Sequence, residues 1–470
     1  MSLLNRRAIT CAVLGALVST SAAAATAKEQ KRDGAPSIVV LVSVDTLRAD
    51  VVSFDGYARP TTPFMDHLAA DGVVFTNAYS TSSWTPPAMG SLLTGLYPTS
   101  HGVTTGNIQH LDRIVQPPLP NALTTLAEIF QKAGYTTIGV PANRHLMASL
   151  GFGQGFDFYF GQASFRPAPG VNREVKRQLE KAFGPLWRIR WKQGKVFLWI
   201  HYFDPHDPYR PNRSWLARYA PAYRTDPAAF PANMVMRDLH ERFPHPDAAA
   251  AARIRPLYEG EVAFWDRQFG ILARELGLDA HNVLLAFTAD HGEEIAEHGN
   301  LGHSQSLHEE LVRIPLLVHW PAGLPRGKRI TAPVSLVDVY PTLVRLAGLK
   351  VPAAVQGRSL AADMRGQQVD PERPVYMELL PPKPHLLAMR TGSWKLIRSL
   401  DPDHAVSLYD LSSDPEEHND VAATHGALVR SLQRRLADWY KSLSPAPKQA
   451  AVPLTDKKLE KQLRSLGYIN

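Results

Sequence analysis

The 470-residue chain contains a single cysteine, Cys11, and it falls within the first 26 residues. Beyond that point there is neither thiol nor disulfide, so sulfur chemistry and cross-linking are excluded from the rest of the molecule. Long apolar runs are scarce as well. After the N-terminal stretch no segment approaches about 18 uninterrupted apolar residues, which excludes a membrane-spanning helix there. Internal repeats and low-complexity tracts are missing. So is an acidic surplus: 51 Lys and Arg against 44 Asp and Glu give a formal charge of +7. The basic residues are dispersed, with local clusters at 173–190 and 457–464 that read first as solvated faces and second as attraction for an anionic substrate. No basic stripe is interleaved with stacking aromatics, which excludes nucleic acid as the partner.

What is present is ordinary globular material, 44% hydrophobic and 20% charged, long enough for one large domain with a smaller companion. The 38 prolines point to stiff loops. Residues 1–26 read as a secretion signal: Arg6 and Arg7, an apolar stretch from Ala8 to Val18, then small residues from Ser19 to Ala25. Cleavage is expected between Ala22 and Ala25, with the mature protein periplasmic or secreted.

Apolar, largely β-branched runs recur at Ile38–Val44, Thr136–Val140, Val196–His201, Val283–Phe287 and Ile314–His319. Runs that are apolar on both faces suit central parallel strands. Helical patterns fall at Thr62–Ala70, Leu123–Ala133, Leu257–Leu276 and Ser335–Ala347. This alternation predicts an α/β fold with a mostly parallel sheet flanked by helices, over residues 36–350. From 354 to 442 the pattern becomes short, closely spaced strands and then a helix at Ala427–Ser442, as in a small α+β domain. Residues 443–470 read as a surface tail, and the stretch from Tyr209 to Pro256 as a loop-rich rim.

In an open parallel sheet, ligands bind at the carboxyl ends of the strands. Asp45, His206 and Asp290 each follow a strand closely and are expected to converge. Asp45 suits a metal ligand or a helix cap equally well. Asp290 and His291 offer one oxygen and one nitrogen, and Gly292 permits a sharp turn; with Glu297-His298-Gly299 and Gly302-His303 following, a metal site is favoured over packing. Thr85 stands before Pro86 at a helix start, where a hydroxyl suits either an N-cap or a nucleophile. His206, in a proline-stiffened loop, and Asn143-Arg144-His145 suit contacts to a tetrahedral anion or protonation of a leaving group.

These segments resemble the sulfatase family of the alkaline phosphatase superfamily. The carrying residues are Asp45-Thr46-Leu47-Arg48-Ala49-Asp50, Ser91-Leu92-Leu93-Thr94-Gly95-Leu96-Tyr97-Pro98-Thr99-Ser100-His101-Gly102-Val103, Asp204-Pro205-His206, Asp290-His291-Gly292 and Glu309-Glu310-Leu311-Val312-Arg313-Ile314-Pro315. Met389-Arg390-Thr391-Gly392-Ser393-Trp394-Lys395 and Leu408-Tyr409-Asp410-Leu411 extend the likeness into the small domain. The resemblance implies an alkaline-phosphatase-like fold and a hydrolase of sulfate or phosphate esters on a small molecule or glycan. It implies one divalent ion held by Asp45, Asp290 and His291, with the Thr85 oxygen bridging metal and substrate. His206, His303 and His145 would serve catalysis, and Asn143 and Arg48 would bind substrate.

Two departures stand out. Where the family carries Cys-x-Pro-Ser-Arg, whose first residue becomes formylglycine, this chain reads Thr85-Pro86-Pro87-Ala88-Met89. The family's paired Asp-Asp becomes Asp45-Thr46 and its frequent Asp-Asn becomes Asp290-His291, moving metal preference from calcium, the family default, toward manganese or zinc. Threonine at this place also resembles phosphoethanolamine and lipoteichoic acid transferases. A phosphodiesterase, phosphonate-ester hydrolase or phosphoryl transferase is therefore an alternative, and an inactive glycan binder another.

Overall fold

A computed structural model describes residues 34–104, 108–110, 113–161, 165–211, 213–224, 226, 234–367, 369–380, 384–450 and 452–453. The expected secretion signal and most of the expected tail lie outside these residues. Pro36–Asn470 forms one compact unit.

Ile38–Val44 (β1) is buried at all seven positions, as a strand covered on both faces must be. The central sheet adds Val73–Tyr79 (β2), Thr136–Pro141 (β3), Phe158–Tyr159 (β4), Val196–Tyr202 (β5), Val283–Ala289 (β6), Arg313–His319 (β7) and Lys328–Ile330 (β8). Its order is β8-β2-β7-β6-β1-β5-β3-β4, with Val334–Ser335 pairing β2. β1 runs parallel to both β5 and β6, and β5 parallel to β3. The expectation of a mostly parallel sheet is met, with one exception: β7 is antiparallel to β6 and β2. Its apolar composition carries no sign of direction, because burial on both faces looks the same either way.

Helices flank this sheet. Pro63–Asp71 (α1), Thr85–Thr94 (α2), Leu126–Lys132 (α3) and Val339–Leu346 (α6) fall close to their expected places, as does Gly426–Ser442 (α7) outside this sheet, while Ala168–Phe183 (α4) carries only a general amphipathic signal. Between α4 and α6 lies α5, Ala248–Leu276, which starts nine residues earlier than its apolar pattern suggests. Asp247 caps it through the N–H groups of Ala249 and Ala250, and Pro256 is tolerated within it. The presumed loop-rich rim therefore contains helix, including Arg213–Tyr219 and Met236–Arg242.

Val375–Leu379 (β9), Leu386–Thr391 (β10), Trp394–Ser399 (β11) and Val406–Asp410 (β12) make a four-stranded antiparallel sheet, as the spacing predicts. One side packs on α7 through Leu387, Met389, Leu396 and Leu408 against Leu432 and Leu436. The other meets the main body through Val375, Met377 and Leu379, clustered with Tyr79, Trp84, Leu311 and Val312. Trp84 directly precedes Thr85, so this contact steadies the start of α2.

Because the small sheet shares that cluster with the main body, Met377→Ala is expected to destabilise the whole compact unit by about 2–5 kcal/mol. Denaturant unfolding followed by tryptophan fluorescence should show one transition moved to lower denaturant. Two separate transitions, only one of them moved, would contradict the shared cluster.

Candidate metal centre

The parallel register places the chemistry. Val44 pairs with Ala289 on one side and with Tyr202 on the other. The next residues, Asp45 and Asp290, therefore leave adjacent strands together, at a spacing of about 4.8 Å. Asp45 N–H bonds the Tyr202 carbonyl, and Asp290 N–H bonds the Val44 carbonyl, so both carboxylates start from anchored backbone. Both are fully buried, as is His291.

The donor atoms of Asp45, Asp290 and His291 lie within 4.8 Å of one another. Asp290 Oδ1 accepts the N–H groups of Thr46 and His291, while Oδ2 is buried with no hydrogen-bond partner. His291 Nδ1 bonds the Gly292 carbonyl at 2.8 Å, which assigns the proton to Nδ1 and turns the Nε2 lone pair inward. Nε2 sits 3.8 Å from Asp45 Oδ1 and 3.6 Å from Asp290 Oδ2. An orphaned carboxylate oxygen, a second buried carboxylate and an imidazole lone pair facing one point fit a divalent cation.

Thr85 is the first residue of α2, and its hydroxyl does not cap the helix. Trp84 holds the cap position, and its side chain makes no capping bond to the helix. Thr85 Oγ1 instead donates to Asp45 Oδ1 at 3.3 Å and lies 3.3 Å from His291 Nε2. Neither does Asp45 cap a helix: its other oxygen accepts from Asn143 Nδ2 at 2.6 Å. The four groups expected to surround one cation are brought together.

Two expected substrate ligands are placed otherwise. Asn143 is committed to Asp45 through Nδ2 and to the His145 N–H through Oδ1, which makes it an orienting group. Arg48 belongs to a different set, bonding Asp50 through Nε and Nη2, and the Glu297 carboxylate and Glu293 carbonyl through Nη1. Its motif neighbours supply the partners that composition alone did not assign.

Charge is divided among the histidines. Burial disfavours a proton on His206, yet Asp207, with Oδ1 3.0 Å from Nδ1, raises it to about 10. Burial lowers His291 to about 3, helped by His303, and keeps it neutral. Burial, together with Arg144, also holds His145 well below its ordinary value, which favours its neutral form. The rings of His303 lie 4.6 Å from His291 and 5.1 Å from His206. Burial pushes Asp290 up, and neighbouring Asp45 adds to this; Asp45, also opposed by burial, is held below the usual carboxylate range by facing His201, His206 and His291.

Three residues of this neighbourhood escaped the sequence reading. His201 Nε2 lies 3.6 Å from Asp45 Oδ2, while Nδ1 meets Ser43 Oγ, itself bonded by Trp199 Nε1. Glu293, pushed to about 8 by burial, holds His303 Nδ1 at 2.8 Å and accepts from Tyr209. Asp207 is the partner of His206. Polar Ser43 and His201 in two otherwise apolar strands were the available signal.

A sequence model of the family described as Sulfatase matches residues 37–349. One described as N-sulphoglucosamine sulphohydrolase, C-terminal, matches residues 296–442. An uncharacterized sulfatase of Escherichia coli is 25% identical, spanning 86% of this chain and 91% of its own length. An N-acetylgalactosamine-6-O-sulfatase of Bacteroides thetaiotaomicron is 26% identical, spanning 87% of this chain and 94% of its own. In fold the chain is similar to a phosphonate monoester hydrolase of Agrobacterium radiobacter, with a TM-score of 0.65 at 21% identity, covering 90% of this chain and 100% of that one.

Two outcomes follow from the geometry. Burial, and Asp45 beside it, raise the proton affinity of Asp290, so a cation competes with a proton there and binds more tightly as pH rises. Calorimetric titration of manganese or zinc between pH 5.5 and 8 should show this, and a dissociation constant independent of pH would contradict it. Gly292 offers a second check: a Cβ there would lie 1.9 Å from the Glu310 carbonyl oxygen. Gly292→Ala must shift the Asp290–His291 turn, and is expected to weaken the same metal binding at least about tenfold.

Proposed function

The chain belongs to the sulfatase family of ester hydrolases, and we propose from that premise that it cleaves a sulfate or phosphate ester with Thr85 Oγ1 as nucleophile. The observation that carries this reading is the placement of that hydroxyl, which leaves the helix start and faces Asp45 and His291 at 3.3 Å each.

Oγ1 attacks the sulfur or phosphorus in line with the ester oxygen, forming one bond as the bond to the leaving oxygen breaks. The hydroxyl proton goes to Asp45 Oδ1, the acceptor it already faces. His206, charged at neutral pH, donates a proton to the departing oxygen. Formylglycine hydrate has a second hydroxyl with which to expel its ester; threonine has none, so water must attack the threonyl ester directly. His303, fixed through Nδ1 by Glu293, stands ready to accept the proton of that water at Nε2. Water's oxygen then leaves within the sulfate or phosphate, and the departing Thr85 oxygen takes back the proton held by Asp45. A divalent cation held by Asp45, Asp290 and His291 would withdraw charge from the hydroxyl and from the ester oxygens. Two carboxylates with one imidazole favour manganese or zinc over calcium.

The same threonine favours a second reading, phosphonate monoester or phosphodiester cleavage, because displacement from a plain alkoxide ester is familiar for phosphoryl groups. Export to the periplasm or beyond belongs to the proposal and rests on residues 1–26. Among the described residues no helix is long and apolar enough to cross a membrane.

The decisive assay compares aryl sulfate, aryl phosphate, phosphodiester and phosphonate monoester with added manganese or zinc. Thr85→Ala is expected to lower kcat on the preferred ester by about three orders of magnitude or more, with metal content retained. Turnover unchanged in Thr85→Ala, or absent on all four esters, sinks the assignment. His206→Gln is expected to lower kcat by about a hundredfold on esters with basic leaving groups and much less on activated aryl esters.

A further inference from the structure

A second group of metal-ligating side chains lies outside the centre described above. The donor atoms of His298, His308 and Glu310 fall within 4.8 Å of one another. From this juxtaposition we propose that the chain carries a second cation site, formed by His298, His308 and Glu310 and selective for a divalent transition ion such as zinc.

The donor set sets the class of ion. Two imidazoles and one carboxylate are the ligands of zinc-type sites, whereas calcium and magnesium prefer all-oxygen cages. Three protein ligands leave a fourth position for water or for His418, whose ring is 5.6 Å from that of His298. His298 Nδ1 and Glu310 Oε1 already face each other at 3.2 Å. The His308 ring stacks on His298 with centroids 3.8 Å apart, so a modest rotation of one ring brings both lone pairs onto a shared point.

Beside the cluster the buried Lys395 pairs with Glu309 at 2.9 Å and Glu417 at 3.0 Å.

The position gives the ion a task. His298 Nε2 meets the Glu417 carbonyl at 3.3 Å, and Glu309 N–H bonds Glu417 Oε2 at 2.6 Å. All three ligands lie between residues 298 and 310, so bound metal would brace the segment that follows the Asp290–His291 turn, and these bonds to Glu417 join that braced segment to the one that follows β12.

Zinc content per chain and zinc-dependent thermal unfolding test the proposal, using the full chain stripped with chelator and then reloaded. Asp290→Asn, which disables the first centre and leaves this cluster intact, is expected to retain one zinc and a melting temperature that rises with zinc. Adding His308→Phe, which keeps a stacked ring but removes its nitrogens, is expected to abolish both. Cobalt(II) supplies a readout that needs no change in the cluster. The Asp290→Asn protein should show visible absorption of nitrogen-ligated cobalt, competed away by zinc. Asp290→Asn protein without zinc, or with zinc and cobalt spectra that His308→Phe leaves untouched, overturns the site. Esterase activity does not enter, so failure here is distinct from failure of the Thr85 assignment.

Discussion

Two carboxylates, Asp45 and Asp290, are buried side by side where neighbouring parallel strands end, and the rest of the site answers that conflict. Burying two like charges in a low-dielectric interior is costly unless positive charge is supplied. One carboxyl is therefore held low by the histidines facing it and the other is driven up. A divalent ion would resolve both penalties at once. His291, locked through Nδ1 onto a backbone carbonyl, is preset to share that ion.

The surrounding shell divides its labour by charge. His206 is kept positive by Asp207, while His291 and His145 are kept neutral by burial. Histidines a few ångströms apart thus favour opposite states at one pH, as the proposed acid and ligand roles would require. Asn143 and His201 face the two sides of Asp45 Oδ2 and limit its rotation. With threonine in this shell, the proposed covalent ester would have to be cleared by water, which would raise the demand on His303 and its Glu293 anchor.

The small sheet is part of this arrangement through packing. Its Met377 and Leu379 join Trp84, and Trp84 leads into Thr85. Lys395 on β11 is wholly buried and paired with Glu309 and Glu417, tying the same sheet to the segment after the Asp290–His291 turn. Breaking such a pair from one side leaves an uncompensated charge, so these ties constrain position strongly even where their net stabilisation is small.

Continuous apolar runs, alternation with helices and the later switch to short strands were enough to establish the α/β sheet and the antiparallel sheet, because burial on both faces imposes its own composition. Asp45, Asp290 and His291 were legible for a related reason: polar residues ending buried strands have few other uses. The direction of β7 was not legible, since a doubly covered strand reads alike in either sense. Nor were the true partners of Arg48 and Asn143, which come from residues 293 and 297 and from the end of β1. Thr85 could be a cap or a nucleophile in sequence, and only the approach of α2 to two strand ends decided which way its hydroxyl turned. Local periodicity reports whether a residue is buried; which groups share that burial depends on register and packing between distant segments, and so belongs to the tertiary structure alone.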